Sequence, residues 1–173
     1  LKDVTDAFER FTFHEAIGSL YKFCIVDMSS FYLDILKDRL YTFGADSKAR
    51  RSCQTVLYAI LNILTREMAP IIPFTAEEIW SYFNKSGSVH LSDWPMVDES
   101  AIDTELEARW SRLIKLREEV LKSLEEKRIA GIIGSSLEAK VALFIKEDEE
   151  LGFLEHYKGD LQALFIVSQV ELK

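Results

Sequence analysis

Cysteine and histidine are scarce in this chain, two and three among 173 residues. Neither a CxxC nor an HxxxH spacing occurs, so the pattern excludes a zinc site built on those motifs. Cys24 and Cys53 fall among apolar helix positions and read as small buried hydrophobes of a reducing compartment. No run of eighteen apolar residues exists, which excludes a helical membrane span. The opening LKDVTDAFERF carries acids and already reads as helix, unlike the basic head and apolar middle of a signal peptide. The start at Leu1, without Met, reads as an excised piece of a longer chain. Internal repeats and low-complexity stretches are absent.

Basic surplus is also missing. With 21 basic and 29 acidic residues the net charge is −8, which argues against indiscriminate nucleic-acid binding. The charge is uneven, however. Between 37 and 51 stand Lys37, Arg39, Lys48, Arg50 and Arg51 against Asp38 and Asp46. Between 97 and 107 stand Asp98, Glu99, Asp103, Glu105 and Glu107 with no base. A local basic patch on an acidic protein suits a restricted contact with one structured RNA.

Apolar residues make up 48% of the chain, enough for a sizeable core. Residues 3 to about 26 read as a helix interrupted only by Gly18. A break is expected near Asp27, with Ser29 or Ser30 capping a second helix. Tyr32, Leu33, Leu36 and Leu40 give that helix its apolar face, and Gly44 suits a left-handed cap. A third helix is predicted from Asp46 or Ser47 to about Ala69. Its apolar stripe is Ala49, Cys53, Val56, Leu57, Ile60 and Leu64. Lys48, Arg51, Thr55, Asn62 and Arg66 fall opposite, at about 100° per residue. Pro70 and Pro73 punctuate APIIPF. Thr75 and Glu78 have capping-box spacing for a short helix carrying Ile79, Trp80 and Phe83, and a polar loop, NKSGSVHLSDWP, follows. A long helix from about Thr104 to Arg128 carries Leu106, Trp110, Leu113, Leu116, Val120 and Leu124. The period then changes. GIIGSS reads as a turn, LEAKVALFI as a strand, EDEELGFLEHY as an acidic helix and ALFIVSQVEL as a second strand. Tyr32, Trp80 and Trp110 lie on apolar stripes and are expected core anchors.

Three segments carry a resemblance. They are FTFHEAIGSLYKFCIVDMSSFYLDILKDRLYTF from Phe11 to Phe43, RRSCQTVLY from Arg50 to Tyr58, and IGSSLEAKVAL from Ile133 to Leu143. In this order they resemble the isoleucyl family of class I aminoacyl-tRNA synthetases. The corner Ala69-Pro70, Pro73-Phe74 and Glu77 to Trp80 is shared more widely within the class, the valyl and leucyl enzymes included. Gly131 departs from the pattern, because the family usually places a lysine shortly before IGxSLEA. No four-cysteine zinc knuckle occurs either. The catalytic fold is missing, with no HxGH-like segment, no KMSKS-like loop and no Gly-rich phosphate cradle. Glu77 and Glu78, or Glu147 to Glu150, have no nucleophile, histidine or metal cluster beside them to make a catalytic pair.

The resemblance implies a mainly α fold: an anticodon-binding helical bundle over 1–98, then a long helix and small α/β subdomain over 99–173. It implies binding of the anticodon stem-loop of isoleucine tRNA, with catalytic and editing domains elsewhere in a cytoplasmic ligase. ATP and magnesium would serve that catalytic domain, and no cofactor is expected here. Proteins read single-stranded loops by stacking and base-edge hydrogen bonds, and hold the backbone with Lys and Arg. The candidate tRNA-binding residues are Lys48, Arg51, Arg50, Lys37, Arg39, Tyr41 and Arg66. Lys37 and Arg66 read equally as solubilising charges. Arg50 and Arg39 lie on core flanks, where an ion pair with Asp34 or Asp38 competes. Tyr41 faces away from its helix's buried side as a possible stacking platform. Lys122, Lys127 and Arg128 end the long helix, where the dipole accounts for the last two. The alternatives are a related enzyme such as the valyl one, and a helical protein-interaction module that binds no RNA.

Overall fold

A computed structural model of the chain describes residues 1–83 and 87–173, which fall into two compact units, Leu1–Glu99 and Ser100–Lys173. Asn84, Lys85 and Ser86, the start of the expected polar loop, lie outside the described residues.

The first unit opens with α1 (Lys2–Glu9) and α2 (Phe13–Lys22). The single helix expected from residue 3 to 26 is therefore broken, and not at Gly18, which sits inside α2. The chain reverses at Phe11, whose φ is 57°. Thr12 stabilises the restart. Its N–H donates to the Ala7 carbonyl at 2.9 Å, and its hydroxyl donates to the Glu15 carboxylate at 3.0 Å. Val4, Ala7, Ala16 and Leu20 form the core between the two helices, with Phe8, Leu64, Met68 and Trp94 packed around them.

The break expected at Asp27 is absent. Helix α2 widens instead into a π-type helix, with i→i+5 bonding, over Phe23–Tyr32. It then runs into α3 (Leu33–Ile35) and α4 (Lys37–Tyr41). Ser30 does not cap: its hydroxyl donates 2.8 Å back to the Ile25 carbonyl, five residues earlier. A serine hydroxyl that can reach a preceding carbonyl competes with capping, which the sequence pattern did not anticipate. Leu36 is buried as expected, whereas Leu33 is exposed and Tyr32 half-buried. Burial, reinforced by Cys53, pushes the Tyr32 phenol above its ordinary pKa, and Arg39 opposes this. Helix α4 ends at Thr42, whose N–H and hydroxyl both donate to the Asp38 carbonyl, at 2.9 and 2.7 Å. Gly44 does not take the left-handed conformation expected of it, because Thr42 has already closed the helix.

Helix α5 (Lys48–Met68) follows Ser47, as its sequence predicts. Cys53 is buried and Ala49, Leu57, Ile60 and Leu64 are half-buried, but Val56 is 44% exposed. Two polar residues are buried in its last turns. Thr65 satisfies its hydroxyl on the Leu61 carbonyl at 2.7 Å. Glu67 is only 2% exposed, and its Oε1 has no hydrogen-bond partner among the described residues. Burial pushes the Glu67 carboxyl above its ordinary pKa. Burial first, and the Glu67 charge second, push the half-buried Cys24 thiol upward.

Helix α6 (Pro73–Phe83) begins at Pro73, the first helical position that suits proline. The capping box expected of Thr75 and Glu78 is not made, because Thr75 already lies inside the helix. Trp80 is buried with Ala69, Ala76 and Val89. The Glu77 carboxylate accepts from the Ser88 hydroxyl at 2.8 Å and the Val89 N–H at 3.0 Å, closing the turn Val89–Leu91 onto α6.

The second unit is organised by α7 (Thr104–Ile129), capped by the Asp103 carboxylate, which accepts from the Leu106 N–H at 2.9 Å. Its buried stripe is Leu113, Arg117, Val120 and Leu124, with Trp110 and Leu116 half-buried. The charged Arg117 is 8% exposed, and its Nε donates to the Leu164 carbonyl at 2.9 Å. The helix ends in a Schellman arrangement. Gly131, at φ 70°, donates to the Arg128 carbonyl, and the Ile132 N–H reaches the Lys127 carbonyl, both at 3.0 Å.

Strand β1 (Lys140–Leu143), α8 (Asp148–His156), α9 (Lys158–Phe165) and β2 (Gln169–Leu172) complete the unit. The strands pair in parallel, Lys140 opposite Gln169 and Leu143 opposite Leu172. The second strand is shorter than its sequence suggests. Ala163, Leu164 and Phe165 belong to α9, where Leu161, Leu164 and Phe165 are buried at helical spacing. A short apolar run fits either period, and packing decided this one.

Candidate nucleic-acid interface

The candidate residues are placed by the elbow between α4 and α5. Helix α4 ends at Tyr41, a turn runs through Phe43 and Gly44, and α5 starts at Lys48. The Ser47 N–H donates to the Gly44 carbonyl at 3.0 Å, which shapes the turn. Ser47 stands at the cap position, with its side chain making no cap hydrogen bond. The first N–H groups of α5 thus leave a positive end, and Lys48 and Arg51 add two formal charges within the first turns.

Lys48 and Arg51 are both exposed. They line a shallow depression with Asp46, Ser52, Thr55 and Val56. Neither forms an ion pair among the described residues. Tyr41 is 84% exposed at the end of α4, and Phe43 is 42% exposed in the turn. The structure thus brings two cations, an aromatic ring and the turn's second aromatic to one elbow. That combination can hold a phosphate backbone and offer a face to an unstacked base.

The remaining candidates divide. Lys37 is exposed but bonded to the Asp34 carboxylate at 2.6 Å, which holds its ammonium above the ordinary pKa. Arg50 is half-buried and donates through Nη1 to the Phe43 carbonyl at 2.9 Å. The carboxylate partner expected for it is replaced by this backbone oxygen. Arg39 is half-buried beside Tyr32. Arg66 lies fifteen positions beyond Arg51, about 22 Å along the helix axis at 1.5 Å per residue. Its guanidinium donates to the Asn62 side chain at 2.6 Å and to the Asp93 carbonyl at 3.3 Å. The structure does not bring Arg66 to the elbow. Near the end of α7, Arg128 is paired with Glu125.

A family model described as the anticodon-binding domain of tRNA ligase matches residues 1–143. The chain belongs to this family. Its pattern covers the elbow and continues through α7 into β1. Among curated relatives, the isoleucine–tRNA ligase of Natranaerobius thermophilus is 43% identical over 175 residues, covering 100% of this chain and 19% of the relative. That of Syntrophotalea carbinolica is 48% identical over 171 residues, 98% of this chain and 18% of the relative. That of Kosmotoga olearia is 46% identical over 176 residues, with 99% and 19% coverage. The chain therefore spans roughly a fifth of the length of these relatives, as the 18% and 19% coverages state. The resemblance to isoleucyl enzymes read from the three sequence segments agrees with these relatives. As an anticodon-binding domain, the chain carries its mainly α architecture in the helices flanking the elbow and in α7.

Proposed function

We propose that this chain is the tRNA-reading part of an isoleucine–tRNA ligase and binds the anticodon stem-loop of isoleucine tRNA. The observation that carries the reading is the elbow. Lys48 and Arg51 stand at the positive start of α5 with no ion pair among the described residues, and the ring of Tyr41 is exposed at the end of α4, across the turn in the chain. In this reading the two cations hold the loop backbone and Tyr41 stacks on a splayed base. The ligase would use ATP and magnesium in a catalytic domain outside these residues, with an editing domain alongside, in the cytoplasm. What this chain contributes is position: binding the anticodon end fixes where the acceptor end lies.

The test is binding of the chain to an isoleucine-type anticodon stem-loop across a range of salt, with a valine-type loop as control. Selective binding is expected, with log K falling as log salt rises. Replacing Lys48 and Arg51 with Ala should each reduce the magnitude of that slope by about 0.7 to 0.9. The double variant should lose at least about tenfold in affinity, equal to 1.4 kcal/mol. Tyr41→Ala should weaken binding with the slope unchanged, since stacking releases no counterion. Equal affinity for both loops would transfer the reading to a related ligase. Absence of salt-sensitive binding would return the chain to the protein-interaction reading that its acidic charge favours.

A further inference from the structure

Arg50 differs from its neighbours in what it touches. Lys48 and Arg51 face solvent at the start of α5, whereas Arg50 lies on the half-buried flank. Its Nη1 reaches back across the elbow and donates to the Phe43 carbonyl at 2.9 Å. Phe43 lies beyond the end of α4, so this carbonyl belongs to the turn and to neither helix.

The bond's importance follows from what else shapes the turn. Thr42 closes α4 onto Asp38, and the Ser47 N–H closes the entry to α5 onto Gly44. Both are local bonds, within four residues of chain. Gly44 has no left-handed φ, so no obligatory backbone conformation fixes the turn there. The guanidinium of Arg50 ties α5 to the turn across seven residues. It is a charged donor on a carbonyl, stronger than a neutral bond. On either side of this tie stand the groups assigned to RNA: Tyr41 and Phe43 before it, Lys48 and Arg51 at the start of α5.

We propose that Arg50 is a positioning residue for RNA recognition. It acts through the Phe43 carbonyl and not through a phosphate. It holds the elbow so that the exposed aromatics of the α4 end and the cations of α5 meet the loop in one fixed geometry. Without the tie, the same groups are present but must be ordered on binding, which lowers affinity. This role rests on the anticodon-reading function proposed above.

Salt dependence separates positioning from contact. A residue that neutralises a phosphate contributes to the slope of log K against log salt, and one that only orders the site does not. The experiment compares the chain with its Arg50→Gln variant on the isoleucine-type stem-loop. Arg50→Gln is expected to bind about three- to tenfold more weakly with the slope unchanged, a loss of the size that ordering an interface side chain incurs. Amide hydrogen exchange at residues 44–47 should accelerate in the free variant. A slope reduced as much as in Arg51→Ala would overturn the proposal, because Arg50 would then be a phosphate contact. Should the variant fail to fold, the parent chain gives the answer by NMR. The Arg50 guanidinium resonances should hold their shifts on titration with the stem-loop while those of Arg51 move. Movement of both would overturn the proposal. If the parent chain binds no stem-loop at any salt, the anticodon-reading function fails as well; if it binds and only the slope disagrees, the role of Arg50 fails alone.

Discussion

The indole N–H of Trp94 donates to the Thr5 hydroxyl at 2.9 Å, joining residues 89 positions apart in the chain. The same indole packs edge-on against Phe8, with ring centroids 5.2 Å apart. Trp94 is thereby tied to α1 by a directional bond and an aromatic contact. Replacing Thr5 with Val keeps the shape and leaves the half-buried indole N–H without its acceptor. A buried donor deprived of its partner costs about 1 to 3 kcal/mol. Trp94 retains some exposure, so the lower end of that range is expected. The check is urea unfolding followed by tryptophan fluorescence, comparing Thr5→Val with Thr5→Ser, which keeps the acceptor and should match the parent. Identical midpoints for the two variants would show that the bond contributes nothing.

Glu67 gives the first unit a pH dependence of unusual sign for a carboxylate. Its pKa is raised in the folded chain by burial. The neutral acid suits the folded state better than the anion does. Its contribution to stability is therefore complete below the unfolded pKa, about 4.3, and is lost as pH rises through the higher folded value. Glu67→Gln, which is neutral throughout, should match the parent at about pH 4 and exceed it at about pH 7.5, where folding the parent must either bury a charge or take up a proton that the unfolded chain has lost. Cys24 senses the same carboxylate, so its thiol should react more readily in the Gln variant at a fixed pH. A stability difference that stays constant across the range would assign the dependence to another group.

Gly131 occupies a position that requires φ near 70°. That left-handed backbone explains the glycine found here. A Cβ added there would meet no neighbour within 4 Å, so the first obstacle is the backbone conformation. Gly131→Lys should therefore destabilise the second unit by about 1 kcal/mol, and Gly131→Asn by less, since asparagine tolerates this region. Thermal unfolding of the two variants would distinguish backbone conformation from side-chain crowding, which would penalise both alike.

The legible part of this fold is where one signal dominates. Helix α5 and the core of α7 follow from apolar spacing. The sequence is ambiguous where two outcomes share a pattern. Ser30 offers a hydroxyl that serves equally as a cap or as a back-bond to Ile25, and only the continued helix selects the second. The run from Ala163 to Phe165 fits strand or helix, and burial of Leu161 with Phe165 selects helix. Arg117 was invisible as a core residue, because a charge on an apolar stripe gives no sign that a carbonyl such as that of Leu164 awaits it. At the site, charge and spacing marked Lys48 and Arg51. The same signals put Arg66 on that face although its donors turn to Asn62 and Asp93, and they put Arg50 on the core flank without identifying the Phe43 carbonyl as its acceptor.

The widened helix from Phe23 to Tyr32 makes the chain a rotary device with a fixed setting. Each residue of an ordinary helix advances the azimuth by about 100°, and a stretch of i→i+5 bonding absorbs extra residues without lengthening the axis in proportion. Deleting one residue there, Ser29 for instance, would let the segment relax toward ordinary pitch and swing everything downstream about the axis. Leu36 would leave its buried bearing and Tyr41 would point elsewhere. Insertions and deletions should therefore be tolerated far less in this stretch than point substitutions of its exposed side chains.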